Sequence, residues 1–292
     1  MPNNDLLHRF LIENTRVRGE MVHLNASWQA ILERTNYPDN VRQILGEALA
    51  ACALLSATIK FDGSLILQVR GDGPLHLLVA QANAQGALRG IAHWKGDVPK
   101  SKLQDIFGNA QMLITIKPEQ GEPYQGIIAL QGDTLKDAIE NYFKQSEQLN
   151  TQLWLASDKD TCAGFLLQEL PSDEADEDDS WNNSVQLAAT LKPDEILDLP
   201  VKDLLHRLFH EKDIRLFDPE PLYFRCNCSN ERIASMLLAL GKEEVDFILQ
   251  EQSLIEVGCE FCNANYKFDQ VDIDALFTKP EKIITPSSKT IQ

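Results

Sequence analysis

The sequence predicts an α+β protein in three parts: strands wrapped on a buried helix, a run of short helices, and a small cysteine-bearing C-terminal domain. Three observations carry this. From Ala48 to Ile59 the chain is apolar or small on every side of a helix, which marks a buried helix. Around that run lie alternating apolar segments closed by turn residues, the pattern of strands. At Pro171–Asp179 the composition changes to PSDEADEDD, with six acidic residues and no basic one, and beyond it come helices broken by prolines and four of the six cysteines.

Taken in order, Asn40 is a candidate N-cap for VRQILGEALAACALLSATIKF, a helix expected over Val41–Ile59 and read as too short and too charged at its start to span a bilayer. Cys52 lies in it and reads as a small buried thiol. SLILQVRG follows as a strand, closed by Gly71–Pro74, then PLHLLVAQAN and GALRGIAHWKG. QMLITIKP and YQGIIALQG, separated by EQGE, read as a hairpin. Thr134 caps a helix, LKDAIENYFKQSEQL, and TQLWLASD with TCAGFLLQEL gives a last strand pair. The acidic run reads as a solvated loop and a domain boundary. Two or three short helices follow, interrupted at Pro193 and Pro200. In one of them Val201, Leu204, Leu205, Leu208 and Phe209 form a narrow apolar face. Such short helices are marginal alone, so they must dock, and a docked segment of this kind can undock at modest cost. At the C-terminus Ser229 caps ERIASMLLAL with Gly241 past its end, KEEVDFILQ is a second helix, and strands SLIEV and NYKF flank a cysteine turn.

With 292 residues and 43% hydrophobic content the chain can bury a sizeable core. A net charge of −17 repels nucleic acid overall, and no local basic patch offsets it. The first twenty residues lack a signal-peptide pattern, their apolar positions being broken by His8, Arg9 and Glu13, so a cytoplasmic, reducing location is expected, with no membrane partner. Motifs for common enzyme chemistries are missing. Gly121 and Gly126 have P-loop spacing, but Ile127 stands where lysine is needed. Gly71-Asp-Gly-Pro lacks the third glycine of a dinucleotide fingerprint, His76 occupying its place. There is no G-x-S-x-G and no H-E-x-x-H. His206 and His210, spaced i, i+4, read as an exposed helix face rather than metal ligands.

The chemistry-bearing pattern is Cys226-Asn-Cys228, thirty residues, then Cys259-Glu-Phe-Cys262. Four thiolates at this spacing suit a tetrahedral zinc site. The residue after the second C-x-x-C cysteine often needs a left-handed backbone, which Asn263 tolerates. Four thiolates around Zn²⁺ carry a net charge of about −2 and remain nucleophilic toward peroxide or hypochlorous acid. Oxidation would remove the metal's ligands, and a small domain held by its metal would unfold. The spacing leaves two roles open, a structural zinc staple and an oxidation-sensitive one.

The chain closely resembles the redox-regulated heat-shock chaperone family, the bacterial holdases known as the 33-kDa heat-shock protein. The resemblance rests on LLHRFL, VRGE, KFDG, QVRGDGP, YFKQSEQL, the C-x-C and C-x-x-C pair thirty residues apart, and Tyr266 and Phe268 beyond it. It covers essentially the whole chain. Asn263 is a departure, since the family commonly has glycine there. The resemblance implies an N-terminal α+β core over residues 1–172, an acidic loop and metastable helical linker over 173–224, and a zinc-binding redox-switch domain over 225–292. It implies one Zn²⁺ per chain, held by Cys226, Cys228, Cys259 and Cys262 in a reduced, inactive monomer. It further implies that oxidation joins Cys226 to Cys228 and Cys259 to Cys262, releases zinc and unfolds the linker. The exposed apolar surface would hold unfolding client proteins under oxidative stress without ATP. Homodimerisation on oxidation and transfer of clients to ATP-dependent chaperones are implied as well.

Two rival readings fare worse. A nucleic-acid-binding zinc module conflicts with seven Lys/Arg against eleven Asp/Glu in residues 225–292. A thiol–disulfide oxidoreductase would place its C-x-x-C at a helix N-terminus beside a βαβ core, whereas Cys259 and Cys262 fall between two short strands. No enzymatic activity is expected.

Overall fold

A computed structural model describes residues 5–58, 62–171 and 179–278. Most of the acidic stretch, at 172–178, and Lys60 and Phe61 of KFDG lie outside the described residues. The chain divides into two compact units, Met1–Cys226 and Asn227–Gln292.

The first unit runs β1 (Leu6–Ile12), β2 (Val17–Leu24), α1 (Ala26–Leu32), α2 (Asp39–Thr58), β3 (Gly63–Arg70), β4 (Leu75–Asn83), β5 (Ala87–Trp94), α3 (Leu103–Phe107), β6 (Gln111–Pro118), β7 (Tyr124–Ala129), α4 (Leu135–Tyr142), β8 (Thr151–Ser157), β9 (Cys162–Glu169), α5 (Ser180–Ala188), α6 (Pro193–Asp198), α7 (Val201–Phe209), β10 (Ile214–Leu216), β11 (Glu220–Pro221) and β12 (Tyr223–Phe224). One sheet has the order β10-β1-β2-β9-β8, with β11 also on β1. The other has the order β12-β5-β4-β3-β6-β7. Helix α2 lies among residues of both sheets, Leu45, Leu49, Cys52 and Leu55 packing with Val22, Leu166, Leu67 and Leu78. This is the expected arrangement of sheets around a buried helix.

At 20 residues α2 is long and apolar enough to cross a membrane, the only such helix among the described residues, so it is not too short for that. It is a core helix because two thirds of its apolar window is buried between sheets. Asn40 is not its N-cap. The helix begins at Asp39, the Pro38 carbonyl accepts from Arg42 N at 2.8 Å, and Asn40 Nδ2 instead donates to Val98 O at 2.8 Å. Thr134 does cap α4 in a capping box with Asp137. The predicted continuation to Leu149 loosens into a π turn at Phe143–Glu147 and stops at Gln148, φ 54°.

The far face of the β1-containing sheet carries the short helices. Phe10, Ile12, Met21, Phe165 and Leu167 meet Ala188, Ile196, Leu204, Leu205, Leu208 and Phe209 in a second core. Strands β1 and β2 were not read from the sequence. A sheet covered on both faces loses its alternation, and β2 and β9 are buried at almost every position.

The second unit contains α8 (Asn230–Leu240), α9 (Lys242–Gln252), the hairpin β13 (Ile255–Gly258) and β14 (Asn265–Phe268), and α10 (Gln270–Thr278). Six buried apolar side chains form its core: Leu237, Val245, Leu249, Ile255, Phe268 and Ile273. Ser229 Oγ accepts from Arg232 N and caps α8, and Gly241 takes φ 90° beyond it.

Candidate functional site

Each half of the cysteine pattern is placed by local structure. Strand β12 pairs parallel to β5, Phe224 opposite Leu88, and Arg225 N donates to Leu88 O at 3.0 Å, so Cys226 follows a backbone segment fixed to a sheet. Arg89 Nη1 lies 3.9 Å from Cys226 Sγ. Cys228 immediately precedes the Ser229 cap of α8. Cys259 and Cys262 occupy the turn of the β13–β14 hairpin, as read from the sequence. Three backbone bonds shape that turn: Cys259 N to Ala264 O at 2.8 Å, and Cys262 N and Asn263 N to Cys259 O at 3.3 and 2.7 Å. The last requires the left-handed residue the sequence anticipated, and Asn263 has φ 58°.

The four sulfurs lie within 4.8 Å of one another and each cysteine is half-buried. Cys228 and Cys262 are 3.2 Å apart, sulfur to sulfur. A tetrahedron with metal–sulfur distances of about 2.3 Å has sulfurs roughly 3.8 Å apart, so this cluster can close on one metal ion with little movement. The donor set is all sulfur, which suits a thiolate-bound metal. Tyr266 adds an outer contact. Its hydroxyl is hydrogen-bonded to Cys228 and is pushed up to about 12 by that bond, by burial and by the negative charge of Cys228, Cys262 and Cys259.

The other two cysteines are chemically different. Cys52 and Cys162 are fully buried in the core around α2. Burial pushes the Cys52 thiol up to about 12, and burial with the nearby charges of Asp5 and Asp158 raises Cys162 well above the ordinary thiol range. Neither presents a thiolate to solvent.

Val201, Leu204, Leu205, Leu208 and Phe209 are all buried, at 8, 0, 4, 3 and 1% exposure, and lie in the core shared with the far sheet face. The Phe209 ring sits 6.3 Å from Phe10, which stacks on Phe165 at 5.6 Å. Gly19 allows this: any side chain there would collide with the Phe10 ring. His206 and His210 face solvent, as the sequence suggested.

Sequence reasoning missed the polar groups on the sheets. Glu20 is fully buried, His23 on β2 is largely covered, and His8 on β1 is half-buried with its Nδ1 shielded from solvent. The one signal available was their position within segments that are otherwise apolar.

Comparison with known proteins gives one family. The family model for Hsp33 protein matches residues 5–269. The 33 kDa chaperonin of Nitrosococcus oceani is 51% identical over 289 residues, covering 99% of this chain and 100% of that protein. That of Shewanella sediminis is 45% identical, covering 96% and 98%. The crystal structure of a 33 kDa chaperonin from Thermotoga maritima superposes with a TM-score of 0.79, at 21% identity, covering 93% of this chain and 97% of that one, and so shares the fold.

Proposed function

Because the chain belongs to the Hsp33 protein family, we propose that it is a redox-regulated, ATP-independent holdase switched by its cysteine cluster. The observation that carries the reading is the convergence of four half-buried sulfurs within 4.8 Å of one another, beside a unit with only six buried apolar side chains among its described residues. So small a core is marginal without a metal. Cys226, Cys228, Cys259 and Cys262 would hold Zn²⁺, which supplies the charge that keeps all four sulfurs deprotonated.

The sulfurs do the chemistry. A thiolate attacks one oxygen of hydrogen peroxide, becomes a sulfenic acid and releases hydroxide. A second thiol displaces that oxygen as water and closes a disulfide. Two peroxides thus consume four thiols and every ligand of the metal. The family's pairing, Cys226 with Cys228 and Cys259 with Cys262, needs only sequence neighbours. Sulfurs at 3.2 Å, as between Cys228 and Cys262, also make a cross-motif bond reachable.

The gain and the cost of docking the linker helix are of the same order. Burying the five apolar side chains of α7 contributes roughly 8–15 kcal/mol, while ordering its nine residues costs roughly 9–18 kcal/mol. On this reading, loss of the metal and of order beyond residue 226 releases the segment. Undocking would bare Phe10, Phe165 and Phe209, an apolar surface suited to unfolding client proteins. Dimerisation on oxidation, transfer of clients to ATP-dependent chaperones and cytoplasmic residence belong to the same reading.

The test is zinc release followed with a chromophoric chelator during peroxide addition at elevated temperature. Light scattering of an unfolding test protein is read in the same sample. One zinc per chain should leave before aggregation is suppressed. Retention of zinc, or release without holding activity, reduces the cluster to a structural staple.

A further inference from the structure

The sheet face beneath the docked helices carries two histidines that the thiol chemistry does not use. His23, on β2, places Nε2 2.6 Å from the backbone carbonyl of Ile196 in α6. A carbonyl only accepts, so the neutral ring carries its proton on Nε2, and a second proton must go to Nδ1. His8, on β1, faces the same side; its Nδ1 is buried and has no hydrogen-bond partner. A proton on either ring puts a charge under the helices, and on His8 it also adds an N–H with nothing to receive it.

The charges around the pair are few. Of the α6 carboxylates, Asp198 attracts a proton toward His23, Asp194 is exposed, and Glu195 is held by Arg207 at 2.5 Å. Helix α5 has no ionisable side chain. Lys202, Asp203, His206 and Arg207 of α7 lie on its exposed side. Strands β8 and β9 present Trp154, Ala156, Ala163 and Phe165 to this face, and β10 presents Ile214 and Leu216. Glu20 alternates to the opposite face of β2. Among the described residues on this face of β1 and β2, His8 and His23 are the groups able to gain charge near neutrality, and His23 bonds directly to α6.

We propose that His8 and His23 form an acid-sensitive catch beneath α5–α7, so that proton uptake from solvent releases these helices while the cysteines remain reduced. Burial lowers the proton affinity of His23, against the Ile196 carbonyl and Asp198, and lowers that of His8, with repulsion from His23 adding to it. The docked state therefore binds fewer protons than the released state. Docking is at full strength above the ordinary histidine value of 6.5 and weakens as pH falls through it. Acid would be a second input to the same bistable segment. The consequence for client binding rests on the holdase reading; the undocking itself does not.

The experiment is hydrogen exchange on the reduced, zinc-loaded full chain at about pH 7.5 and about pH 5.5, as protection factors, with zinc content followed in the same samples. In the wild type, protection across α5–α7 should fall roughly tenfold or more relative to β3 and β4. The His8→Gln, His23→Gln double variant should hold its protection to lower pH, whatever zinc loss the two proteins share. Unchanged wild-type protection, or parallel loss in both proteins, overturns the catch. If the double variant does not fold, His23→Gln alone and ring-carbon NMR titration of the wild type take its place. Rings that titrate at or above 6.5 in the docked state overturn it equally. Undocking at acid pH without suppression of client aggregation leaves the catch standing and overturns the holdase reading.

Discussion

Cys228 Sγ and Cys262 Sγ lie 3.2 Å apart, one sulfur from each motif, brought together across 34 residues of sequence. Four thiolates at this density repel one another strongly without a cation among them. The cluster should therefore be a folding determinant of the C-terminal unit. Cys226→Ser with Cys228→Ser should bind no zinc and lose ordered structure beyond residue 227, because two thiolates do not satisfy a tetrahedral ion. Chelation of the reduced wild type should do the same. Metal content and amide dispersion by NMR are the readouts. Stoichiometric zinc in the double variant would sink the expectation.

Asn263 takes φ 58° in the C-x-x-C turn. Asn263→Gly should be neutral or slightly stabilising, since glycine enters this region without a Cβ penalty. Asn263→Val should cost about 1–2 kcal/mol in the turn and weaken metal binding roughly tenfold. Competition with a chelator of known affinity separates the two, and equal affinities would show that the turn is not under this constraint.

Phe209 is 1% exposed and its ring contacts Phe10. Phe209→Ala should remove roughly 3–5 kcal/mol from the packing that docks α7. Hydrogen-exchange protection of α5–α7 should collapse in the reduced protein while β3 and β4 keep theirs. Client holding without oxidant should accompany that loss. Protection equal to wild type would show that the helices are held by something other than this aromatic contact.

How far the sequence was legible follows from where each signal resides. The cysteine turn, Ser229, Gly241 and Asn263 are local: a cap or a left-handed residue is written within four positions, and all took the expected form. Helix α2 was legible because it is apolar all round, although its start was misread when Asn40 turned out to bond Val98. Strands β1 and β2 pair with each other as a local hairpin, but β2 also pairs β9 and β1 pairs β10 and β11, and their sheet is covered on both faces, so the alternation that would have marked them is blurred. The histidines and Glu20 were invisible as a group for the same reason. Their burial exists only once the sheet has formed.

Glu20 makes this measurable. It is 2% exposed, its Oε2 has no hydrogen-bond partner, and burial pushes its carboxyl up to about 7 from 4.5, with Arg18 and Arg9 opposing. The folded state therefore holds a proton that the unfolded state releases near 4.5. Stability is highest below that value, falls as pH rises toward 7, and levels off above it. Glu20→Gln removes the titration. It should be nearly neutral near pH 4.5 and stabilising by about 3 kcal/mol above pH 7, the shift expressed as free energy. Urea unfolding followed by tryptophan fluorescence across this range gives the difference directly. A Glu20→Gln advantage independent of pH would mean that the carboxylate is compensated within the fold. An advantage that grows with pH identifies Glu20 as a standing destabilisation in the sheet that carries the linker helices.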